Sequence, residues 1–133
     1  MSIKRKPNHT TRNVRHAKAV SMRELDKLAR EVMLRRDHER CCYCNLSLCE
    51  GRLDPHHIEH RGNKNTKYLL DNLIAMCRKH HSELNIGESE TLFKIWFIHT
   101  FPLRWQAIQA AARTISPLRG KPYADFWYEY LLT

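Results

Sequence analysis

The sequence has 133 residues, 42% hydrophobic and 28% charged, with 23 Lys and Arg against 14 Asp and Glu for a formal net charge of +9. Only 4 Gly and 5 Pro exclude a collagen-like or low-complexity chain. The longest apolar run, Ile95-Trp96-Phe97-Ile98, falls far short of the roughly 20 residues that span a bilayer, and the basic Met1–Lys6 stretch is followed by no apolar segment, so neither a membrane protein nor a secreted one is expected.

The charge is uneven. Residues 1–40 carry 12 basic and 5 acidic side chains, whereas residues 41–90 carry 6 and 7. A basic arm on a nearly neutral centre suits a polyanion, most simply nucleic acid, because each neutralised phosphate releases condensed counterions. Residues 1–18 lack apolar periodicity and hold Lys4, Arg5, Lys6, Arg12, Arg15 and Lys18, which are expected to form a flexible nucleic-acid-binding arm. Ser21 and Glu24 then make a capping-box pattern. Met22, Leu25, Leu28, Ala29, Val32 and Met33 follow at helical spacing and predict a helix over 22–36.

Residues 41–90 hold the five cysteines and five of the nine histidines. Leu53 to Glu59 reads as extended, Gly62-Asn63-Lys64-Asn65 as turn, Asn72 to Met76 as a second short strand, and a helix is expected from Arg78. Four cysteines within nine positions are poorly spaced for disulfides, and an odd count without an export signal points to a reducing compartment. Cys41 and Cys44 form a Cys-x2-Cys step, and Cys77 and His80 a Cys-x2-His step. Together they predict a Cys3His site of the closed tetrahedral kind that structural Zn2+ adopts. Cys42 and Cys49 have no partner at that spacing and stand outside the predicted set.

Between the two steps lie Asp54-Pro55-His56-His57, Asp71-Asn72 and, at the end, His80-His81. Phosphodiester cleavage needs a nucleophilic water, a base for its proton and a cation for the charge that develops at phosphorus. Neutral imidazole is a suitable base near neutral pH. Neighbours on an extended segment project to opposite sides, so one of His56 and His57 can face a metal while the other faces the water. His81, fixed by its neighbour His80, can complete the metal site.

From Glu88 onward the chain is helical and aromatic, with ten of the 12 Phe, Tyr and Trp residues. Phe93, Trp96, Phe97 and Phe101 recur at helical spacing, Pro102 opens a further helix to about Thr114, and Tyr123 to Leu132 predicts a last one. These rings are expected to supply the core that a small zinc module lacks. The fold class is therefore α+β, mainly helical. Three segments are expected: a basic arm over 1–18, a zinc-stabilised core over 19–90, and a helical extension over 91–133 that packs on the core or forms an oligomer interface.

The order Cys-x2-Cys, His-His-Ile, Asn-Leu, Cys-x2-His-His, with the lead-in Arg36-Asp37-His38-Glu39-Arg40-Cys41, resembles the HNH endonucleases over about residues 35–86. The resemblance implies a ββα-metal (His-Me) finger that hydrolyses DNA with Mg2+ or Mn2+, leaving a 5′-phosphate and a 3′-hydroxyl. It implies His57 as general base, Asn72 as the residue that holds the loop and orients that base, and His56 and His81 as ligands of the catalytic cation. It also matches Cys41, Cys44, Cys77 and His80 to the structural zinc set. His56 stands where aspartate is commoner, so Ni2+ or Zn2+ also suits the catalytic site. Asp54 and Asn85 are further candidate ligands. The chain also looks somewhat like phage recombination nucleases of the NinG/Rap type. That likeness implies branched DNA as substrate, the cytoplasm of a bacterial or phage-infected cell as location, and a homodimer through the C-terminal helices. A non-catalytic zinc module that binds nucleic acid is the alternative from another functional class.

Overall fold

In the computed structural model the described residues are 20–43, 48–84, 88–114 and 118–133. The basic residues Lys4, Arg5, Lys6, Arg12, Arg15 and Lys18, together with Cys44 and Asn85, lie outside them. The described elements are α1 (Met22–Arg36), β1 (Leu53–His57), a 3-10 turn (Leu70–Asn72), β2 (Leu73–Cys77), α2 (Arg78–Glu83), α3 (Glu88–Thr100), α4 (Pro102–Arg113) and α5 (Gly120–Leu132). The class is α+β and mainly helical, as composition and periodicity indicate. No helix among the described residues is long and apolar enough to cross a membrane.

Two compact units divide the chain, one over residues 29–116 and another that joins residues 20–28 to 118–133. The first unit takes in α4 and, from residue 91 on, α3 of the segment expected as an extension. In the second unit the capping box forms as its spacing requires. The Ser21 amide donates to Glu24 Oε1 at 3.0 Å and the Glu24 amide to Ser21 Oγ at 3.1 Å, pairing two donors that a helix N-terminus otherwise leaves open. Along α5, Tyr123, Ala124, Trp127, Tyr128 and Leu131 are buried at the i, i+1, i+4, i+5, i+8 spacing of one helical stripe.

The centre of the larger unit is a two-stranded antiparallel hairpin followed directly by a helix. β1 pairs with β2 in the register Leu53↔Cys77 to His57↔Leu73, and Cys77 is both the last residue of β2 and the N-cap of α2. Every residue of β2 is buried. Two strands alone cannot shield such a run, and α3 and α4 cover it: Phe93, Phe97 and Ile108 are buried with Ile58, Ile74, Met76 and Leu84 in one cluster. Trp96, Phe101 and Trp105 pack around its margin. The aromatic segment thus supplies core, as its helical spacing anticipates.

The outer edge of β2 would expose unpaired backbone groups. Side chains and one loop close it instead. The Ala75 amide donates to Asp37 Oδ2 at 2.9 Å, the Ala75 carbonyl accepts from the Cys42 amide at 2.9 Å, and the Leu73 carbonyl accepts from both Arg36 and Arg104. Asp37 in turn chelates Arg36 through Oδ1 at 2.8 Å and Oδ2 at 3.0 Å. Burial raises the Asp37 pKa, but the Arg36 contacts and the Ala75 amide outweigh it and hold the carboxyl below its ordinary value.

Phe97 is fully buried and meets Phe93 and Phe101 at ring-centroid distances of 6.3 and 5.3 Å. Phe97→Ala is therefore expected to cost about 3–5 kcal/mol in urea unfolding, with a smaller loss for Phe97→Leu.

Candidate metal centre and histidine cluster

Three stretches of chain meet at the N-terminus of α2. Cys41 follows α1, Cys49 precedes β1, and Cys77 and His80 flank the first turn of α2. One ligand atom from each of these four residues lies within 4.8 Å of the others, a cluster that can hold a metal ion such as zinc. His80 Nδ1 sits 3.1 Å from Cys77 Sγ, 3.7 Å from Cys41 Sγ and 3.8 Å from Cys49 Sγ. Bonds of about 2.3 Å to sulfur and about 2.0 Å to nitrogen in a tetrahedron place such atoms roughly 3.5 Å apart, so the cluster has the size of a closed zinc site.

Cys41, Cys77 and His80 of the spacing-based set belong to this cluster. Cys49, outside the predicted set, is one of the four, and Cys44 falls outside the described residues. Backbone pairing brings Cys49 in. The Arg78 amide donates to the Arg52 carbonyl at 2.9 Å and the Lys79 amide to the Glu50 carbonyl at 3.0 Å, which lays residues 50–52 along the start of α2. Gly51 makes that approach possible. Its φ is +88°, and a Cβ there would meet Arg78 Cβ at 2.6 Å, so both backbone and space demand glycine. The Glu50-Gly51 step just after Cys49 was the available signal in the sequence.

The environment favours thiolate at Cys77. Burial raises its pKa, but the His80 amide, 3.4 Å from the sulfur, and the Glu50 backbone counter it, so the thiol lies below its ordinary value. Cys42 is the opposite case. Burial, and then the Asp37 carboxylate, push its thiol up to about 11, and it lies outside the cluster, as its spacing suggests.

A second group of side chains lies on the β1–α2 side of the hairpin. Successive residues of a helix are about 100° apart, so with His80 turned to the sulfurs, His81 projects elsewhere. Its ring stands edge-on to His56, with centroids 5.2 Å apart and planes at 82°. His56 is only 8% exposed, packs edge-on against Phe93 at 4.8 Å, and has a buried Nδ1 with no hydrogen-bond partner among the described residues. Burial, then the neighbouring His81, His57 and Lys94, push its pKa down to about 3. His81 is also lowered, by burial and Arg78 against the opposing pull of Asp54. Two imidazoles, both held below their ordinary pKa, thus face each other across the strand–helix junction.

Asp54 lies two residues before His56 on β1, and its carboxylate is bracketed by two guanidinium groups, Arg52 Nε at 3.0 Å and Arg78 Nε at 2.9 Å. Burial raises its pKa, but Arg78, Arg52 and His81 hold it below the ordinary carboxylate range. Asn85, the other additional ligand expected from sequence, lies outside the described residues.

His57 is oriented by the backbone. Its Nε2 lies 3.0 Å from the Lys67 carbonyl; a carbonyl only accepts, so Nε2 carries the proton and Nδ1 is the basic nitrogen. The loop that presents Lys67 is closed by Asn72, which is fully buried. Asn72 Oδ1 accepts from the Glu59 amide at 2.6 Å, and its Nδ2 donates to the carbonyls of Glu59 at 3.1 Å and Thr66 at 3.0 Å. One amide side chain thereby ties both ends of the loop after β1 to the start of β2.

The chain matches no protein-family model, no curated protein and no solved structure.

Cys49→Ser is expected to weaken zinc binding by on the order of 100-fold or more, read by chelator competition, whereas Cys42→Ser leaves it within about two-fold. Gly51→Ala is expected to behave like the Cys49 variant, since it displaces the same backbone. A Cys49 variant that retains zinc at the native affinity would remove Cys49 from the ligand set.

Proposed function

We propose that this chain is a metal-dependent endonuclease of the HNH kind, acting on DNA phosphodiester bonds. The observation that carries the reading is the pairing of His56 on β1 with His81 on α2, beside a His57 whose tautomer is set by the Lys67 carbonyl. Strand, strand and helix follow in the order that the ββα-metal finger requires. The residues that build them are those of the sequence resemblance.

The donors fit a catalytic cation. His56 Nδ1 is buried and unpartnered among the described residues, a state that costs about 1–3 kcal/mol unless a ligand meets it. Its neutral ring and that of His81 offer nitrogen lone pairs to Mg2+, Mn2+ or, given two imidazoles, a softer ion such as Ni2+ or Zn2+. When bound, such a cation stabilises the negative charge gathering on the phosphoryl group and the leaving oxygen. His57 Nδ1 takes the proton from the attacking water, and its Nε2–H, donated to the Lys67 carbonyl, holds the ring's orientation and keeps the tautomer in which Nδ1 is basic. Asn72 keeps that carbonyl in place by closing the loop. Water attacks phosphorus as the bond to the 3′ oxygen breaks, and that oxygen takes a proton from solvent, leaving a 5′-phosphate and a 3′-hydroxyl.

The Cys41, Cys49, Cys77 and His80 cluster has a structural part in this scheme. With Cys77 at the end of β2 and His80 in the first turn of α2, a metal held there would fix the junction from which His81 reaches His56. The net charge of +9 and the basic residues of 1–18 suit a phosphate backbone, whose contacts position a protein without reading bases.

His57→Ala is expected to retain zinc and the melting transition while lowering nicking of supercoiled plasmid by about 100-fold or more, the scale of a lost general base. Incubation of supercoiled, linear and branched DNA with Mg2+, Mn2+, Ni2+ and Zn2+ in turn identifies the substrate form. DNA binding without cleavage under every metal would favour a non-catalytic zinc module.

A further inference from the structure

Helix α4 lies outside the stretch that resembles a nuclease, yet it grips the loop between β1 and β2 at both ends. Near its N-terminus, Arg104 donates from Nε to the Asp71 carbonyl at 3.3 Å and from a terminal nitrogen to the Leu73 carbonyl at 2.8 Å. At its C-terminal end the Ala112 carbonyl accepts from Asn63 Nδ2 at 3.4 Å, and the Thr114 carbonyl accepts from Asn65 Nδ2. Asn72, the residue between the two carbonyls that Arg104 holds, is the one whose side chain closes the loop carrying Lys67.

Arg104 is shaped for this task. Its guanidinium carbon stands 4.6 Å from the Phe101 ring centroid and 5.2 Å from that of Phe97, so two aromatic faces support the cation. The planar fork then reaches two carbonyls at once, which an ammonium group cannot do. In the 3-10 turn the Leu70 carbonyl accepts from the Leu73 amide and the Asn72 carbonyl from the Ile58 amide, and Arg104 meets the Asp71 carbonyl between them, where positive charge at the C-terminal end of a turn is favourable. Arg36 meets the same turn from α1, donating to the Leu70 and Leu73 carbonyls.

We propose that Arg104 is a positioning residue for the histidine site. It fixes the backbone on either side of Asn72, Asn72 fixes Glu59 and Thr66, and the closed loop holds the Lys67 carbonyl against His57. The proposal rests on the nuclease reading for its catalytic consequence, but its structural half can be measured without any cleavage.

The test uses the full chain with zinc bound. Arg104→Met keeps an apolar stem against Phe97 and Phe101 and removes both donors. Amide hydrogen exchange is then followed at Glu59, which donates to Asn72 Oδ1, and at Ala75, which donates to Asp37 on the outer edge of β2. The expected result is exchange about ten-fold faster at Glu59, the size of one lost charge-assisted hydrogen bond, with Ala75 and the zinc content unchanged. In plasmid cleavage, kcat is expected to fall about ten-fold with KM unaltered, and Arg104→Lys to recover part of both effects.

Equal exchange at Glu59 in variant and wild type would overturn the proposal, as would a rise shared equally by Ala75, which marks general loosening. Selective loosening at Glu59 with undiminished kcat would also overturn it. Should Arg104→Met fail to fold, Arg104→Lys alone decides by the same comparison. A wild-type chain that cuts no DNA removes the nuclease reading, and the exchange pattern still decides whether Arg104 positions Asn72.

Discussion

Cys77 belongs to two elements at once, and the arrangement of the larger unit depends on that sharing. It ends β2, caps α2 and contributes a sulfur to the Cys3His cluster, while His80 one turn later contributes the nitrogen. The four residues of that cluster can hold a metal ion, and a metal held there would clamp the strand–helix junction to Cys41 and Cys49 from elsewhere in the chain. His81 inherits its direction from this junction and so comes to face His56. A binding free energy of about 10 kcal/mol or more, typical of structural zinc, is large against the total stability of a small domain, commonly about 5–15 kcal/mol.

The remaining polar contacts around the hairpin follow a single rule: backbone groups that a two-stranded sheet leaves open are taken up by side chains from helices. Asp37 and Arg36 come from the end of α1, Arg104 from α4, and Asn72 from the turn itself. Because these side chains reach backbone rather than one another, they set the position of the main chain around the histidines with little dependence on which residues neighbour them. The aromatic layer of α3 and α4 completes the arrangement by removing β2 from water and by supporting the Arg104 cation.

Much of this was readable in advance because local rules govern it. The capping box at Ser21 and Glu24, the Pro102 start of α4 and the two short strands around turn residues each depend on neighbours within a few positions. The Cys77–His80 step is equally local, since an x2 spacing across a helix start brings both side chains to one side. The same spacing rule pairs Cys41 with Cys44, which lies outside the described residues. Cys49 enters through a longer route that needs a glycine at 51 and backbone pairing with Arg78 and Lys79, and no spacing rule contains those contacts.

Sequence by itself determined the element order, the α+β class, the aromatic origin of the core and three of the four residues in the metal-type cluster. Periodicity, capping and short-range spacing carry that information within a few residues of each position. Tertiary structure alone decided that Cys49 joins the cluster, that Asp54 lies between Arg52 and Arg78, and that Arg104 reaches the backbone around Asn72. Each of those outcomes depends on where a distant backbone passes. A side chain's chemistry names what it can bind, but only the packed chain determines which partner lies within about 3 Å.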